Sequence, residues 1–420
     1  MLLIKGGRIF KAMGRAADIL VADGKIAEIS EDICETGDMT VLDVSGLIVS
    51  PGLVDMHVHF RDPGFEYKED ILTGAAAAAA GGVTTCCCMP NTSPVIDSAE
   101  MVKYILDKAK QAPVRVLPYG AVTIGQKGRE LTDFAALKAA GAIALSDDGN
   151  PIQSAELMRR AMLFAREQGL FIISHCEDAE MVRNYAVNEG NVSRKLRIPG
   201  RPAIAEEIMV ARDAALAAGT GARVHIAHVS TAGSVDIIRT AKAAGVAITA
   251  ETCPQYFTLT EDEVLEQGSL ARVNPPLRTE RDVAAIIRGL SDGTIDAIAT
   301  DHAPHSAEEK ELPLEEAPSG MIGLETSLAL ALKFLYHTGE LSLDKIIDLM
   351  SVNPARILGV DAGTLEVGKT ADITIFDPDE VWTVDPARFR SKARNTPFAG
   401  MNLSGKVKYT VSRGRLTING

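Results

Sequence analysis

Two histidines stand two residues apart at the end of an apolar run, at His57 and His59. Side chains alternate faces along a strand, so both imidazoles are expected to point to the same face. Two imidazoles at this spacing can bind one metal ion without help from another element. A pair of buried structural histidines is the alternative, but the position at the end of the run favours a metal site.

Other histidines and aspartates follow short apolar runs in the same way. These residues are Asp147, Asp148, His175, His228, Asp301, His302 and His305. The chain has only eight histidines, and structural histidines scattered through a core would not collect at the ends of runs. If the run ends converge, one cavity receives four imidazoles and two carboxylates, from His57, His59, His175, His228, Asp148 and Asp301.

This set of side chains suits a catalytic metal centre better than a structural one. It exceeds what one zinc ion needs and suits two ions that share a carboxylate. Imidazole combined with carboxylate favours zinc over calcium or magnesium. Two metal ions can lower the pKa of a bridging water and hold it ready to attack a carbonyl carbon. Asp301 would then stand beside that water as a proton carrier.

Further polar residues near these runs could bind a substrate. Arg61 follows His59 closely, and its planar guanidinium matches a carboxylate in two hydrogen bonds. Asn91 and Asn274 offer amides that can recognise an imide or ureide edge, and His305 is close to Asp301 in the sequence. Each has a simpler interpretation, because rim arginines are usually solvated and an asparagine before proline is usually a turn residue.

The elements that must position these residues alternate between strand and helix. Eight such units predict a parallel sheet covered by helices and closed into a (β/α)8 barrel, with its site at the carboxyl ends of the strands. An open doubly wound sheet, the alternative, would concentrate its site at one switch point. Asp97 and Ser154 are predicted to cap the helices that follow them. The predicted strands cover residues 52–60, 82–89, 114–122, 141–147, 170–176, 223–229, 247–253 and 295–301.

Both ends of the chain have a different pattern. Residues 2–10, 19–27, 371–376 and 406–411 are typical of hairpin strands. They predict a small β-sandwich-like domain built from residues 1–50 and 360–420. The barrel would then form a second domain over residues 51–359.

Composition narrows the classes of function. The 420 residues carry 43 Lys and Arg against 56 Asp and Glu, a net charge of −13, which disfavours nucleic-acid and anionic-membrane partners. Glycines at positions 6 and 7 come too early for a signal peptide, and the alanine run at 75–80 is too short to span a bilayer. The adjacent cysteines at 86–88 are predicted to be small buried strand residues. We expect a soluble cytoplasmic protein.

Five strings of the sequence carry a family resemblance: DMHVHFRDPG at 55–64, MPNT at 89–92, NPPLR at 274–278, TDHAPH at 300–305 and NTPF at 395–398. They resemble class I bacterial dihydroorotases of the amidohydrolase superfamily, and the resemblance extends over nearly the whole chain. It implies a (β/α)8 barrel that holds two zinc ions at its mouth. It also implies reversible interconversion of N-carbamoyl-L-aspartate and L-dihydroorotate in pyrimidine biosynthesis.

The resemblance also implies a role for individual residues. His57, His59 and Asp301 would bind the first zinc ion. His175 and His228 would bind the second, and Asp148 would bridge the two. Asp301 would be the general acid and base for a bridging hydroxide that attacks the ring amide. The substrate would be bound by His59, Arg61, Asn91, Asn274, His305, Ser319 and Gly320.

Two departures define the alternatives. Residues 142–146 contain no lysine, whereas relatives often bridge their metals with a carboxylated lysine, and this favours class I dihydroorotases over hydantoinases. Gln255 and Tyr256 replace the paired histidines of many dihydroorotases and resemble hydantoinases and allantoinases. An allantoinase or hydantoinase-type enzyme is therefore the alternative, and Arg61 argues against it because simple hydantoins lack a carboxylate. A non-catalytic scaffold is a third hypothesis, but every ligand position is filled. Partner hypotheses are a homodimer and a complex with aspartate transcarbamoylase.

Overall fold

A computed structural model of the chain describes residues 1–11 and 16–418 and places a ring of eight short parallel strands at its centre. The first three strands pair in sequence order, and so do the last five. Parallel bridges from Gly120 to Leu145 and from Val58 to His302 join the two groups at both edges. The sheet is thus closed, and the predicted barrel is confirmed. Its strands are Leu53–Val58, Val83–Cys88, Arg115–Pro118, Leu145–Ser146, Ile172–Ser174, Val224–Ile226, Ile248–Thr252 and Ala297–Ile298.

A helix lies between each pair of consecutive barrel strands. Ser154 caps one of them as predicted, because its side chain accepts a hydrogen bond from the Leu157 amide. The predicted cap at Asp97 is wrong. Ser98 caps that helix, and the Asp97 carboxylate instead accepts from the Gly125 amide at 2.8 Å. The seven helices are Ile71–Ala80, Ala99–Ala109, Phe134–Ala140, Ala155–Glu167, Ile204–Thr220, Ala232–Ala243 and Glu280–Asp292.

The last barrel strand is followed by a longer helical segment, and further short elements lie in the loops. After the eighth strand come α-helices Ala307–Lys310, Ser327–Ala331, Leu343–Ile347 and Asn353–Leu358, with π-helical turns Leu332–Tyr336 and Asp348–Val352. The loop helices are Ala179–Val182, Asn191–Leu196, Pro254–Thr258 and Glu263–Gln267, and the 3-10 turns are Ile124–Gln126, Gly268–Ala271 and Pro386–Arg388. Strands Val187–Asn188 and Gly200–Arg201 form a separate pair.

Both ends of the chain contribute to one eight-stranded sheet beside the barrel. The two halves meet where Ile48–Pro51 pairs antiparallel with the start of Ile373–Thr383. The predicted strand over residues 19–27 is two strands joined by a turn at Asp23 and Gly24, both of which have positive φ. The strands are Leu2–Ile9, Ala16–Ala22, Lys25–Ser30, Thr40–Asp43, Ile48–Pro51, Ile373–Thr383, Asn402–Ser412 and Arg415–Ile418.

Small side chains allow close packing around the start of the barrel. The alanine-rich helix Ile71–Ala80 buries most of its alanines, and a Cβ at Gly74 would lie 2.3 Å from the Phe60 ring. Cys86, Cys87 and Cys88 are buried free thiols, as the sequence suggests. Among the described residues, no helix has the length and apolarity needed to cross a membrane.

Candidate active site

Six predicted ligands lie together at the carboxyl ends of the barrel strands. His57 is on the first strand and His59 directly follows it, while His175 and His228 follow the fifth and sixth strands at the same end. Asp148 and Asp301 follow the fourth and eighth strands. Because parallel strands in a closed barrel share one carboxyl face, residues far apart in sequence meet here. All six side chains are buried.

The first donor cluster consists of His57, His59 and Asp301. Asp301 Oδ1 lies 3.0 Å from His59 Nε2 and 3.5 Å from His57 Nε2. Asp301 has a φ of 49°, a left-handed conformation that costs a non-glycine residue energy and is common at functional sites. The backbone therefore turns sharply where the carboxylate must reach the two imidazoles.

The second donor cluster consists of His175, His228 and Asp148. His175 Nδ1 and His228 Nε2 lie 2.7 Å apart, and Asp148 Oδ1 is 3.5 Å and 3.4 Å from them. Asp148 also faces the first cluster, 3.5 Å from His57 Nε2 and, through Oδ2, 3.5 Å from His59 Nε2. Burial opposes its ionisation, but the neighbouring histidines hold the pKa of Asp148 well below its usual range. Asp148 is thus the carboxylate that both clusters share.

The donor set fits metal ions. Tetrahedral bonds of about 2.0–2.2 Å place neighbouring donor atoms about 3.3–3.6 Å apart, close to most of the spacings found. Two groups have all their donor atoms within 4.8 Å of one another: His57 with Asp148 and His228, and His57 with His59 and Asp301. His57 Nε2 and Asp148 Oδ1 are buried atoms without a hydrogen-bond partner in the described structure. A bound cation would satisfy both.

Polar residues behind the first cluster orient its imidazoles. His57 Nδ1 donates a hydrogen bond to Glu251 at 2.7 Å, and its Nε2 faces Asp148 and Asp301 in the cavity. His225 Nε2 lies 3.3 Å from the other oxygen of Glu251. Burial raises the pKa of Glu251, but the adjacent imidazoles of His225 and His57 outweigh it and lower that pKa to about 2. His59 Nδ1 is held similarly by Asn91 Oδ1 at 2.9 Å.

Arg61 and His305 lie together beside the first cluster. Arg61 Nε donates to the Pro304 carbonyl at 3.2 Å, and its Nη2 is 3.4 Å from His305 Nε2. The Ser319 carbonyl lies 2.9 Å from His305 Nε2 and can only accept, so this nitrogen carries the proton. Burial and the nearby cations Arg61 and Lys68 lower the pKa of His305 to about 2, so the ring is neutral.

Asn274 faces the second cluster in a defined orientation. Arg201, a buried arginine, donates to Asn274 Oδ1, so the amide oxygen must point away from the donor cluster. The Asn274 amide nitrogen lies 3.4 Å from His175 Nε2. Arg201 also donates to Glu177 at 2.8 Å. Glu177 and Arg201 thus connect the second cluster to Asn274.

Ser319 and Gly320 lie above His305. The Gly320 φ is +140°, and a Cβ there would be 2.7 Å from Ala303 Cβ and 3.0 Å from His305 Nε2. Only glycine can therefore follow this path so close to His305. All of the predicted substrate-binding residues thus lie around the two donor clusters or the adjoining His305.

The residues that hold the site from behind are not among those predicted from the sequence. One feature of the sequence could have pointed to Glu251, because it is a carboxylate in the buried part of the barrel strand Ile248–Thr252. Glu177 follows His175 by two residues and carried a similar weak signal. Arg201 lies in the short strand Gly200–Arg201, far from any of the motifs, and had none.

Comparison with known proteins identifies the family. A family model described as dihydro-orotase-like matches residues 46–234. The chain is 51% identical to a dihydroorotase from Citrifermentans bemidjiense, with 99% of both chains covered. It is 50% identical to a dihydroorotase from Acetivibrio thermocellus at the same coverage. The chain belongs to the dihydroorotase family.

Solved structures of hydantoinases share the fold of this dihydroorotase-family chain. An L-hydantoinase (dihydropyrimidinase) from Arthrobacter aurescens is 29% identical, with a TM-score of 0.88, and covers 99% of this chain and 96% of its own. A D-hydantoinase (dihydropyrimidinase) from Thermus sp. is 27% identical, with a TM-score of 0.84, and covers 100% and 95%. Identity to dihydroorotases is much higher, so the hydantoinase and allantoinase alternative is not favoured.

Proposed function

We propose that this enzyme reversibly interconverts N-carbamoyl-L-aspartate and L-dihydroorotate by closing and hydrolysing the ring amide. The observation that carries the proposal is the pair of donor clusters sharing Asp148, with Arg61 beside them. Such a centre suits attack on a carbonyl carbon, and the arginine suits a carboxylate that remains outside the reacting bond. The relatives named dihydroorotase at about half identity over their full length agree with this.

We infer that the clusters bind two zinc ions. His57, His59 and Asp301 would hold one ion, and His175 and His228 the other, with Asp148 bridging. Bound zinc would supply Lewis acidity and lower the pKa of a water between the ions toward neutrality. Metal analysis of Asp148→Ala tests the bridge, because loss of the shared carboxylate should lower zinc content in both clusters. Two zinc ions per chain in that variant would overturn the assignment.

Asp301 is the proposed general acid and base. In ring opening it takes the proton of the attacking water and passes it to the departing ring nitrogen as the C–N bond breaks. Ring closure is the reverse of this reaction, so a carboxylate loses one oxygen as water and becomes a neutral amide. Closure therefore consumes one proton overall, and low pH favours it. His305 is not suited to this role, because its ring is neutral and its Nε2–H already donates to Ser319.

The proposed substrate-binding side chains present hydrogen-bond donors to the cavity. The Asn91 oxygen accepts from His59, so its amide nitrogen remains for substrate. The Asn274 oxygen accepts from Arg201, and its amide nitrogen keeps one N–H besides the one near His175 Nε2. Together with the Arg61 guanidinium they match an acceptor-rich substrate. Dihydroorotate supplies a carboxylate and two ring carbonyls, whereas an unsubstituted hydantoin supplies only carbonyls.

A comparison of substrates tests the proposal directly. Purified zinc-loaded protein should hydrolyse L-dihydroorotate with a higher kcat/KM than allantoin or hydantoin, and should form it from N-carbamoyl-L-aspartate. Faster turnover of allantoin or hydantoin would overturn the substrate assignment while leaving the metal centre intact. Zinc content measured on the same preparation separates a poorly loaded enzyme from a wrong substrate.

Four further properties are proposals that rest on the sequence. We propose a composite domain of residues 1–50 and 360–420 beside a barrel domain of 51–359, which the pairing of Ile48–Pro51 with Ile373–Thr383 supports. We also propose a cytoplasmic location, a homodimer and a complex with aspartate transcarbamoylase. Cell fractionation tests the location. Sedimentation of the protein alone, and then with that enzyme, tests the two assemblies.

A further inference from the structure

The segment of residues 318–320 is anchored from outside the site by a buried lysine. Lys310 ends the helix Ala307–Lys310 and is 6% exposed. Its ammonium donates to the carbonyls of Pro318 at 2.9 Å and Gly320 at 3.1 Å, and lies 3.5 Å from that of Arg272. One ammonium thus connects both ends of the segment to the strand-following loop that contains Arg272.

Asn395 anchors the same segment from a second direction. Its amide nitrogen donates to the Gly320 carbonyl and to the Ala303 carbonyl, both at 3.1 Å. Its oxygen accepts from the His305 backbone amide at 3.1 Å. Asn395 is 3% exposed and far from His305 in the sequence, so this side chain ties the end of the chain to the barrel mouth.

Both anchors end at the contact between Ser319 and His305. Ser319 O accepts from His305 Nε2, and Gly320 passes so close to that nitrogen that no side chain fits. Movement of the segment would therefore remove the acceptor that fixes the proton of His305 on Nε2. His305 in turn lies against Arg61, the proposed carboxylate ligand.

The burial of Lys310 is energetically unfavourable by itself. Removal from water, together with the nearby Arg272 charge, lowers the pKa of Lys310 to about 7. A buried amine is costly unless its hydrogen bonds are satisfied, and three backbone carbonyls lie within reach here. These contacts give the lysine a function that an apolar residue of equal length could not perform.

We propose that Lys310 and Asn395 are positioning residues that hold the 318–320 segment and His305 in the geometry required for substrate binding. This inference rests on the proposed function for its kinetic consequences. Neither residue touches the two donor clusters in the structure, so neither is expected to affect metal content. The effect should fall on KM more than on kcat.

Steady-state kinetics of paired variants test the proposal. Lys310→Met and Asn395→Leu should raise KM for L-dihydroorotate about tenfold with less than a threefold change in kcat, because hydrogen bonds that order the binding surface are lost. Lys310→Arg keeps the donors and should recover at least part of the lost affinity. Lys392→Met is the matched control, since Lys392 is an exposed lysine three residues before Asn395 whose ammonium binds Glu66 O and Asp70 instead.

A spectroscopic measurement keeps this inference separate from the proposed activity. In protein labelled with 15N-histidine, His305 should show the Nε2–H form in the wild type, assigned by loss of its signals in His305→Gln. Lys310→Met and Asn395→Leu should mix in the Nδ1–H form, even if dihydroorotate is not the substrate. If Lys310→Met fails to fold, Asn395→Asp serves instead, because an ionised carboxylate of the same shape cannot donate to the Ala303 and Gly320 carbonyls. Unchanged KM and an unchanged His305 spectrum in folded, zinc-loaded variants would overturn the proposal.

Discussion

The two donor clusters differ in how firmly their histidines are held from behind. In the first, His57 Nδ1 donates to Glu251 at 2.7 Å and His59 Nδ1 donates to Asn91 at 2.9 Å. In the second, His175 Nε2 lies 3.8 Å from Glu177 Oε1, too far for a hydrogen bond, and its contact with the Asn274 amide nitrogen is long at 3.4 Å. The inner donor atoms are similarly spaced in both clusters, so the difference lies outside the ligands themselves.

This difference bears on metal affinity. A carboxylate behind a histidine ligand fixes the ring and its tautomer and makes the imidazole more basic. Glu251 is completely buried against two histidines, whereas Glu177 also accepts from Arg201 at 2.8 Å and its charge is shared. We expect the first cluster to bind its metal more tightly and the second to exchange more readily. Similar ligands can thus have different affinities because of the residues behind them.

The largest expected effect is on turnover, from Asp301→Asn in the first cluster. The amide cannot carry a proton, so kcat should fall by about 10²–10⁴-fold in both directions. Because Glu251 and Asn91 still hold His57 and His59, zinc content should fall much less than turnover. Activity assays in both directions measure kcat, and metal analysis of the same samples measures zinc content. Near-normal kcat in zinc-loaded protein would refute Asp301 as proton carrier.

The comparison between clusters is tested by one substitution on each side. Glu251→Gln should lower the affinity for one zinc ion about 10–100-fold, because a neutral amide cannot stabilise His57 as the carboxylate does. Glu177→Gln should change zinc affinity by less than threefold, since its contact with His175 is long. Competition with a chelator, read as zinc released against chelator concentration, measures both affinities.

The wild-type protein supplies the reference for this titration. It should release zinc in two steps, and His175→Ala should abolish the step at lower chelator concentration. Equal effects of Glu251→Gln and Glu177→Gln would show that the residues behind the ligands do not set the difference. A single release step in the wild type would contradict the inequality of the clusters.

A smaller effect is expected from Arg61→Lys, beside both clusters. Lysine keeps the charge but cannot form two parallel hydrogen bonds to a carboxylate, so KM should rise about tenfold. Zinc content and its two-step release should stay unchanged, because Arg61 contacts no ligand of either cluster in the described hydrogen bonds. An unaltered KM for L-dihydroorotate would place carboxylate recognition elsewhere.

The smallest effect on catalysis is expected from Glu325→Gln, because Glu325 is a half-buried carboxylate away from the donor clusters. Burial raises the pKa of Glu325 to about 7, although the backbone amides of Arg390 and Ser391 donate to it. A raised folded-state pKa means that the wild type loses stability as pH rises from about 4.5 through 7. Glutamine does not ionise and has no such loss. Between pH 5 and pH 8, the free energy of unfolding of the variant should therefore rise by about 1–3 kcal/mol relative to that of the wild type.

Urea unfolding of both proteins at the two pH values measures this difference. Their free energies of unfolding should be closest at pH 5, where Glu325 is protonated in the folded state. If the variant instead becomes less stable than the wild type at pH 8, ionised Glu325 stabilises the fold. Unlike Glu251, this carboxylate would then need no histidine partners to stay charged.

Strand positions were predictable, whereas strand lengths were not. Apolar runs marked all eight barrel strands, and histidine or aspartate stood at the end of five of them, but the fourth and eighth strands contain only two residues each in the ladder. The flanking residues still bond to neighbouring strands, from Ile143 N to Pro118 O and from Ala299 N to Thr252 O, but they are not part of the named ladder. Apolar sequence reports burial, and pairing depends on the neighbouring strands. The same reasoning explains Asp97, whose carboxylate binds an amide 28 residues away instead of the helix that follows it.

The sequence by itself determined the class of barrel and the identity of the candidate ligands. Strand-end residues converge in any closed parallel barrel, so local patterns at His57, His175 and Asp301 sufficed to bring them together. Only the tertiary structure decided which residues hold those ligands and the substrate groups in place. The contacts from Glu251 to His57 and from Asn395 to His305 join residues 194 and 90 positions apart. No periodicity encodes such pairs, because each depends on how separate strands and loops are packed against one another.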